Sequence, residues 1–235
     1  MGKKWLPLES NPEVLNDFVS KLGYDTSIYS FCDVFGLDEE LLQMVPQPVV
    51  AVLFLFPVTK ESEAAKEAED QELKQQRYKP DPKIYFMKQT ISNACGTIGA
   101  LHAIANNQEK STLAQGSFLN SFLTDSAGMD PEQRGRFLEE PPEGSPDIDK
   151  AHEAAAQEGD TAPPALEDVV DLHFVALVSK NNRLVELDGR KSFPIDHGKT
   201  SDSTILQDSV AVLKKFMANA NTIKFNLIAL AKTEQ

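Results

Sequence analysis

The segment Val49 to Val58, VVAVLFLFPV, constrains the fold more than any other part of the chain. It lacks apolar-polar alternation, is rich in Val, Leu and Phe, and is bracketed by Pro48 and Pro57. Such a run reads as a strand buried on both faces, which belongs mid-sheet with a layer packed on either side. At ten residues it is half the roughly 20 needed to span a bilayer, and no longer apolar run exists.

The rest of the chain supplies those layers. In NPEVLNDFVSKLG, Asn11 serves as cap, Pro12 fits the first turn, and Val14, Leu15, Phe18 and Leu22 form one stripe before Gly23. Phe118, Leu119, Phe122 and Leu123 recur at helical spacing, and DPEQRGRFLEE begins with an Asp130 cap and Pro131. VVDLHFVALV and RLVELDG read as two buried strands joined by a short polar turn. SDSTILQDSVAVLKKFM then gives a helix with Ile205, Leu206, Val210, Leu213, Phe216 and Met217 inward, and KFNLIALA gives a last strand.

Two stretches lack large apolar side chains. Residues 61–80 are strongly acidic and read as a solvated surface insertion, part helical and part mobile, without a role. Residues 139–167 are rich in proline, glycine, alanine and acids, as a linker or a functional loop would be. Strands and helices mix on both sides of this second stretch, so one α/β domain over residues 1–235 with an excursion is favoured over two domains with a linker.

Composition narrows the function. A formal net charge of -13 disfavours nucleic-acid backbones and anionic membranes and suits a partner with a basic face. Two cysteines are too few for a disulfide framework in 235 residues. The N-terminal MGKKWLPLESNPE carries no export signal, so the expected location is cytoplasmic and the expected state a monomer.

Candidate chemistry centres on Cys95. With Asn93 as cap, Asn93-Ala94-Cys95-Gly96-Thr97 opens a helix and places Cys95 in its first turn, where free N–H groups and the helix dipole stabilise a thiolate. Gly96 and Gly99 each cost roughly 1 kcal/mol in a helix, which points to something approaching closely. A lone intracellular cysteine is more often a small buried hydrophobe.

His173 lies in an apolar strand and needs a polar partner. A turn centred between Lys180 and Asn181 faces it to Asp188, whereas a two-residue Asn181-Asn182 turn faces it to Arg190. A carboxylate there leaves one ring nitrogen for a thiol, although a purely structural His-Asp bond remains open. Gln89, six residues before Cys95, supplies an amide that with the Cys95 N–H suits an oxyanion. The other histidines read as bland: His102 as a packed helix residue, His152 and His197 as surface or turn residues. Cys32 reads as a core thiol. No spacing suggests a metal or a nucleotide loop, so no cofactor is expected.

At these residues the chain resembles the ubiquitin carboxyl-terminal hydrolase family in its short, single-domain form. WLPLESNPEV, MVPQPVVAVLFLFP, YFMKQTISNACGTIGALHAIANN, VDLHFVALV and LVELDGRKSFPIDHG carry the likeness along nearly the whole chain. The resemblance implies a papain-like cysteine protease fold, α/β (α+β), with a central antiparallel sheet flanked by helices, a knotted backbone and a crossover loop over the active site at 141–168. It implies Cys95 as nucleophile, His173 as general base and acid, Asp188 as orienting residue and Gln89 as oxyanion donor. It also places ubiquitin contacts at Pro7, Leu8, Glu9 and Asn11, at Gln157, Glu158 and Gly159, and at Lys224, Phe225 and Asn226 within Thr222 to Leu227. The expected reaction is removal of small adducts or extensions from the ubiquitin C-terminus, with other ubiquitin-like modifiers as further partners. A ubiquitin-binding protein with little turnover and a papain-like protease with another substrate are the competing readings.

Overall fold

A computed structural model describes residues 2–142, 148–165, 168, 170–220 and 224–234. The chain runs α1 (Pro12–Lys21), β1 (Tyr29–Asp33), α2 (Glu39–Leu42), β2 (Val49–Pro57), α3 (Lys60–Gln75) and α4 (Cys95–Ala105). After a short 3-10 turn follow α5 (Phe118–Asp125), α6 (Pro131–Glu139), α7 (Ile148–Gln157), β3 (Leu172–Lys180), β4 (Arg183–Leu187), β5 (Ile195–Lys199), α8 (Ile205–Ala220) and β6 (Asn226–Lys232). Among the described residues no helix is long and apolar enough to cross a membrane.

The six strands form one antiparallel sheet in the order β1-β6-β2-β3-β4-β5. The uniformly apolar run from Val49 forms β2, and it lies between β6 and β3, inside the sheet as its composition requires. Its missing alternation has two causes. Both faces are covered, and a bulge between Val49 and Ala51 shifts the phase of the ladder with β6. Val49, Val52, Phe54 and Phe56 pack with Ile205, Leu206, Val210 and Leu213 of α8 on one face. Val50 and Leu53 pack with α1, α4 and α5 on the other.

Three local expectations change. The β3–β4 hairpin turns on Asn181 and Asn182, with φ 51° and 57°, and pairs Lys180 with Arg183. A two-residue turn of this hand needs left-handed backbone at both centres, which asparagine tolerates best after glycine. A turn centred between Lys180 and Asn181 is therefore wrong by one position. His173 pairs with Phe56 of β2, and β4 ends at Leu187, before Asp188.

The acidic stretch is a continuous 16-residue helix, α3, opened by a reciprocal Thr59–Ser62 capping box and burying no side chain. The second stretch is not structureless, since α7 occupies Ile148–Gln157 with Ile148, His152, Ala155 and Ala156 buried. Residues 143–147, 166, 167 and 169 of the crossover segment lie outside the described residues, as does Thr222.

Candidate active site

Helix α4 is buried along its full length and lies against β2 and β3. The two glycines explain how it fits. A Cβ on Gly96 would stand 3.1 Å from the Leu8 side chain and 3.5 Å from the Phe174 ring, and one on Gly99 would stand 3.5 Å from Leu53. The N-cap is Ala94 rather than Asn93, so Cys95 is the first helical residue. Asn93 instead takes a left-handed φ of 62° and donates from Nδ2 to the Trp5 carbonyl at 3.1 Å. Left-handed backbone removes it from the cap position but leaves the Cys95 placement intact.

Cys95 is 8% exposed. Burial raises its thiol pKa, but hydrogen bonding to His173, the imidazolium charge, and the Phe174 and Gly96 backbone groups together bring it below the usual thiol value. His173 Nε2 lies 2.6 Å from Asp188 Oδ1, which also accepts from the Arg190 N–H at 2.8 Å. Burial disfavours the imidazolium, yet the Asp188 charge and hydrogen bond, with a contribution from Cys95, raise His173 to about 9. Asp188 is buried too, and the His173 charge and hydrogen bond hold it well below the usual carboxylate range. The result is a buried chain of thiol, imidazole and carboxylate in which Nε2 is committed to the acid and the other ring nitrogen to the sulfur. Asp188 thus reaches His173, as the sequence reading expected, but from a turn beyond the ladder and not from the opposite strand position.

Gln89 is tied to that turn. Its N–H donates to the Gly189 carbonyl at 2.9 Å, and its Nε2 donates to the Ile91 carbonyl at 3.1 Å. Gly189 is tightly enclosed, since a Cβ would stand 3.0 Å from both Gln89 Cβ and Ile98 Cγ2.

A cleft of about 410 Å³ opens over Cys95, with Pro7, Leu8, Glu9, Ala156, Pro163 and Asn226 among its walls. Asn11 lines the adjoining cleft with Asp160, and Ser10 bonds Asn226 at 2.9 Å. Gly159 sits against Glu9, whose Oε2 accepts from the Thr161 N–H at 3.2 Å, and Glu158 pairs with Lys21 at 2.8 Å. Gln157 and Lys224 are exposed. Phe225 is not brought to the cleft. It stacks on Phe54 at 5.5 Å in the layer on the α8 face, because alternation along β6 sends neighbouring side chains to opposite faces.

His102 is a packed helix residue, its Nε2 accepting from the Met87 N–H at 3.1 Å, and burial pushes it down to about 4. Cys32 is a half-buried strand residue whose thiol burial pushes up to about 11. Two histidines depart from expectation. His152 is buried, lies 2.8 Å from Thr97 Oγ1 and 2.7 Å from the Leu6 carbonyl, and stacks on Trp5 at 4.1 Å. An acceptor at Nε2 fixes the proton there, so Nδ1 accepts from Thr97. Burial pushes His152 down to about 4, which keeps it neutral. It was legible in principle: Ile148, His152, Ala155 and Ala156 have helical spacing, masked by the surrounding polar text. His197 lies on β5 and not in a turn, with Nε2 at 2.7 Å from the buried Glu186.

The family model described as ubiquitin carboxyl-terminal hydrolase, family 1, matches residues 5–218. The chain belongs to this family. Among its relatives, ubiquitin carboxyl-terminal hydrolase 3 of Arabidopsis thaliana is 48% identical over 232 residues, covering 98% of this chain and 95% of that protein. The human isozyme L1 is 42% identical over 227 residues, covering 96% and 97%. A probable ubiquitin carboxyl-terminal hydrolase of Dictyostelium discoideum is 42% identical over 231 residues, covering 98% and 89%. In fold, the chain is similar to the Trichinella spiralis UCH37 catalytic domain in its crystal structure with ubiquitin vinyl methyl ester. The TM-score is 0.72 at 23% identity, over 98% of this chain and 96% of that one.

Proposed function

We propose that this family member is a cysteine-type ubiquitin hydrolase that cleaves after the ubiquitin C-terminal glycine through an acyl-enzyme on Cys95. The observation that carries the reading is the 2.6 Å His173–Asp188 bond, with the same imidazole bonded to a thiol at the first residue of a helix. The thiolate sulfur attacks the glycine carbonyl carbon. The oxyanion takes the Cys95 N–H and a Gln89 Nε2 hydrogen, since the Ile91 carbonyl uses only one of the two that the amide carries. The imidazolium then gives its proton to the leaving amine as the C–N bond breaks, and the neutral ring takes a proton from the water that releases the acyl group. Asp188 holds the ring in orientation and stabilises its charge.

The proposed substrate tail lies in the cleft over Cys95, beneath residues 156–164 of the crossover segment. Leaving groups must pass this strap, so peptides and small adducts leave readily and large folded conjugates poorly. Glu9 and Asp160 beside the cleft suit a substrate tail that carries arginines. The test is release of a fluorophore from a ubiquitin C-terminal amide. Turnover by the wild type that Cys95→Ala abolishes supports the reading, and tight ubiquitin binding without turnover defeats it. Equal rates on a folded conjugate and on a short extension would overturn the proposed size limit.

A further inference from the structure

Asp188 raises a problem of support. It follows the last residue of β4, so no ladder hydrogen bond fixes it, yet it must meet His173 at 2.6 Å. Its position depends on the turn through Ser192. Inside that turn the Arg190 N–H binds Asp188 Oδ1 at 2.8 Å, and the Lys191 N–H binds the Asp188 carbonyl at 2.9 Å. On the other side the turn holds the oxyanion arm. Gly189 accepts from the Gln89 N–H at 2.9 Å, and the Lys191 carbonyl accepts from Lys88 Nζ at 2.5 Å. Whatever fixes this turn fixes both Asp188 and Gln89.

The three residues after Gly189 are each held by α3. Glu63 Oε2 meets Arg190 Nη2 at 2.9 Å, and Glu69 Oε2 meets Lys191 Nζ at 2.6 Å. Both Asp70 oxygens accept from the Ser192 N–H at 3.1 Å, and Oδ2 also accepts from its hydroxyl at 2.6 Å. Lys191 is only 6% exposed, and its second partner is Glu186 at 2.7 Å, a carboxylate 1% exposed that also holds His197. Isolated surface ion pairs contribute little, but a network around a buried lysine is geometrically exacting. Since no side chain of α3 is fully buried, its sequence carries little core duty, and three of its six acids, Glu63, Glu69 and Asp70, converge on one turn.

We propose that Glu63, Glu69 and Asp70 of α3 are positioning residues that hold the Asp188–Ser192 turn, and through it set both Asp188 and Gln89 for the reaction. The claim rests on the hydrolase reading above. Its test compares two triple variants of equal charge change: Glu63→Ala/Glu69→Ala/Asp70→Ala, and Glu61→Ala/Glu67→Ala/Glu72→Ala, whose residues are exposed on α3. The first lowers kcat on the ubiquitin amide by about tenfold with KM within about twofold of wild type, while the second leaves both within about twofold. Alkylation of Cys95 by iodoacetamide, followed by mass on its own peptide, gives a readout that needs no substrate. Its pH midpoint moves up in the first variant and stays in place in the second, because a loosened Asp188 stabilises the imidazolium less.

Equal effects of the two triples would reduce α3 to a long-range field, and a rise in KM alone would make it a ubiquitin contact. Either overturns the proposal. If the first triple fails to fold, Asp70→Ala decides: a fall in kcat that Asp70→Asn restores supports positioning, since Asn keeps an acceptor for Ser192, and no fall overturns it. A wild type without turnover would defeat the hydrolase reading, while the alkylation midpoints still decide whether α3 sets the turn.

Discussion

The acidic stretch at 61–80 and the crossover segment at 141–168 are both poor in large apolar side chains, and each folds a helix, but the two helices attach by different means. Helix α7 is latched chiefly by the buried His152, which stacks on Trp5 and bonds Thr97 and Leu6, while the half-exposed Asp149 takes the Trp5 Nε1–H at 2.7 Å and pairs with Lys3. Helix α3 has no fully buried side chain and meets the turn after Asp188 through carboxylates. A buried latch resists salt and carries a large energetic penalty when cut. A polar strap costs little stability when cut and acts through the geometry of what it holds. The crossover segment itself is uneven. Beyond α7, residues 158–161 are held by exposed contacts from Lys21, Glu9 and Asn11 and not by buried groups.

Cutting each attachment gives the largest contrast. His152→Ala leaves Thr97 and the Leu6 carbonyl without their partner and removes the Trp5 stack, so it lowers unfolding free energy by about 3 kcal/mol in urea titrations. The α3 triple Glu63→Ala/Glu69→Ala/Asp70→Ala lowers it by less, about 1 kcal/mol, despite the larger expected loss of kcat. Similar losses would erase the distinction.

The two attachments also differ in pH response. His152 and His102 titrate at about 4 in the folded chain and at about 6.5 unfolded, so between those values the unfolded state binds more protons. Their contribution is complete above about 6.5 and is lost as pH falls toward about 4. His152→Phe removes about one proton from the slope in this window, measured by urea midpoints from pH 4 to 7. An unchanged slope would mean that His152 is not buried neutral. Activity has another window: kcat/KM rises as Cys95 ionises and falls as His173 loses its proton near about 9, and a flat profile would contradict an ion pair.

Smaller effects sharpen the account of the turn. Gly189→Ala forces Gln89 or Ile98 to give way by a few tenths of an ångström and lowers kcat about fivefold, with little change in urea midpoint. Raising salt from about 0.1 to 1 M speeds amide exchange in α3 by a few-fold and changes α7 less, because His152 holds it from inside while only its Lys3–Asp149 pair is exposed to screening. Equal salt sensitivity would put both helices in one class.

Much of this was legible in the chain. β2 declared its central place because a strand covered on both faces has no polar side to show. Cys95, His173, Asp188 and Gln89 carried signals in their spacing and surroundings, and the likeness of NACGT and DLHF to a known family joined them. The route to Asp188 was not legible: the hairpin register depended on the left-handed pair Asn181–Asn182, and Asp188 meets His173 from beyond the strand. The attachments of α3 and α7 were hidden for a different reason. Charged and small residues carry no periodic apolar signal, and most of their partners lie more than a hundred residues away, as Asp70 does from Ser192 and His152 from Leu6.

The most direct test of the central claim is the mass of the product after reaction with ubiquitin bearing a thiol-reactive group at its C-terminus. One ubiquitin per chain is expected, mapped to Cys95, with none at Cys32, whose thiol burial pushes up to about 11. The adduct would be absent in Cys95→Ala and persist in Cys32→Ala. Labelling at Cys32, or no labelling of the folded wild type, would contradict it.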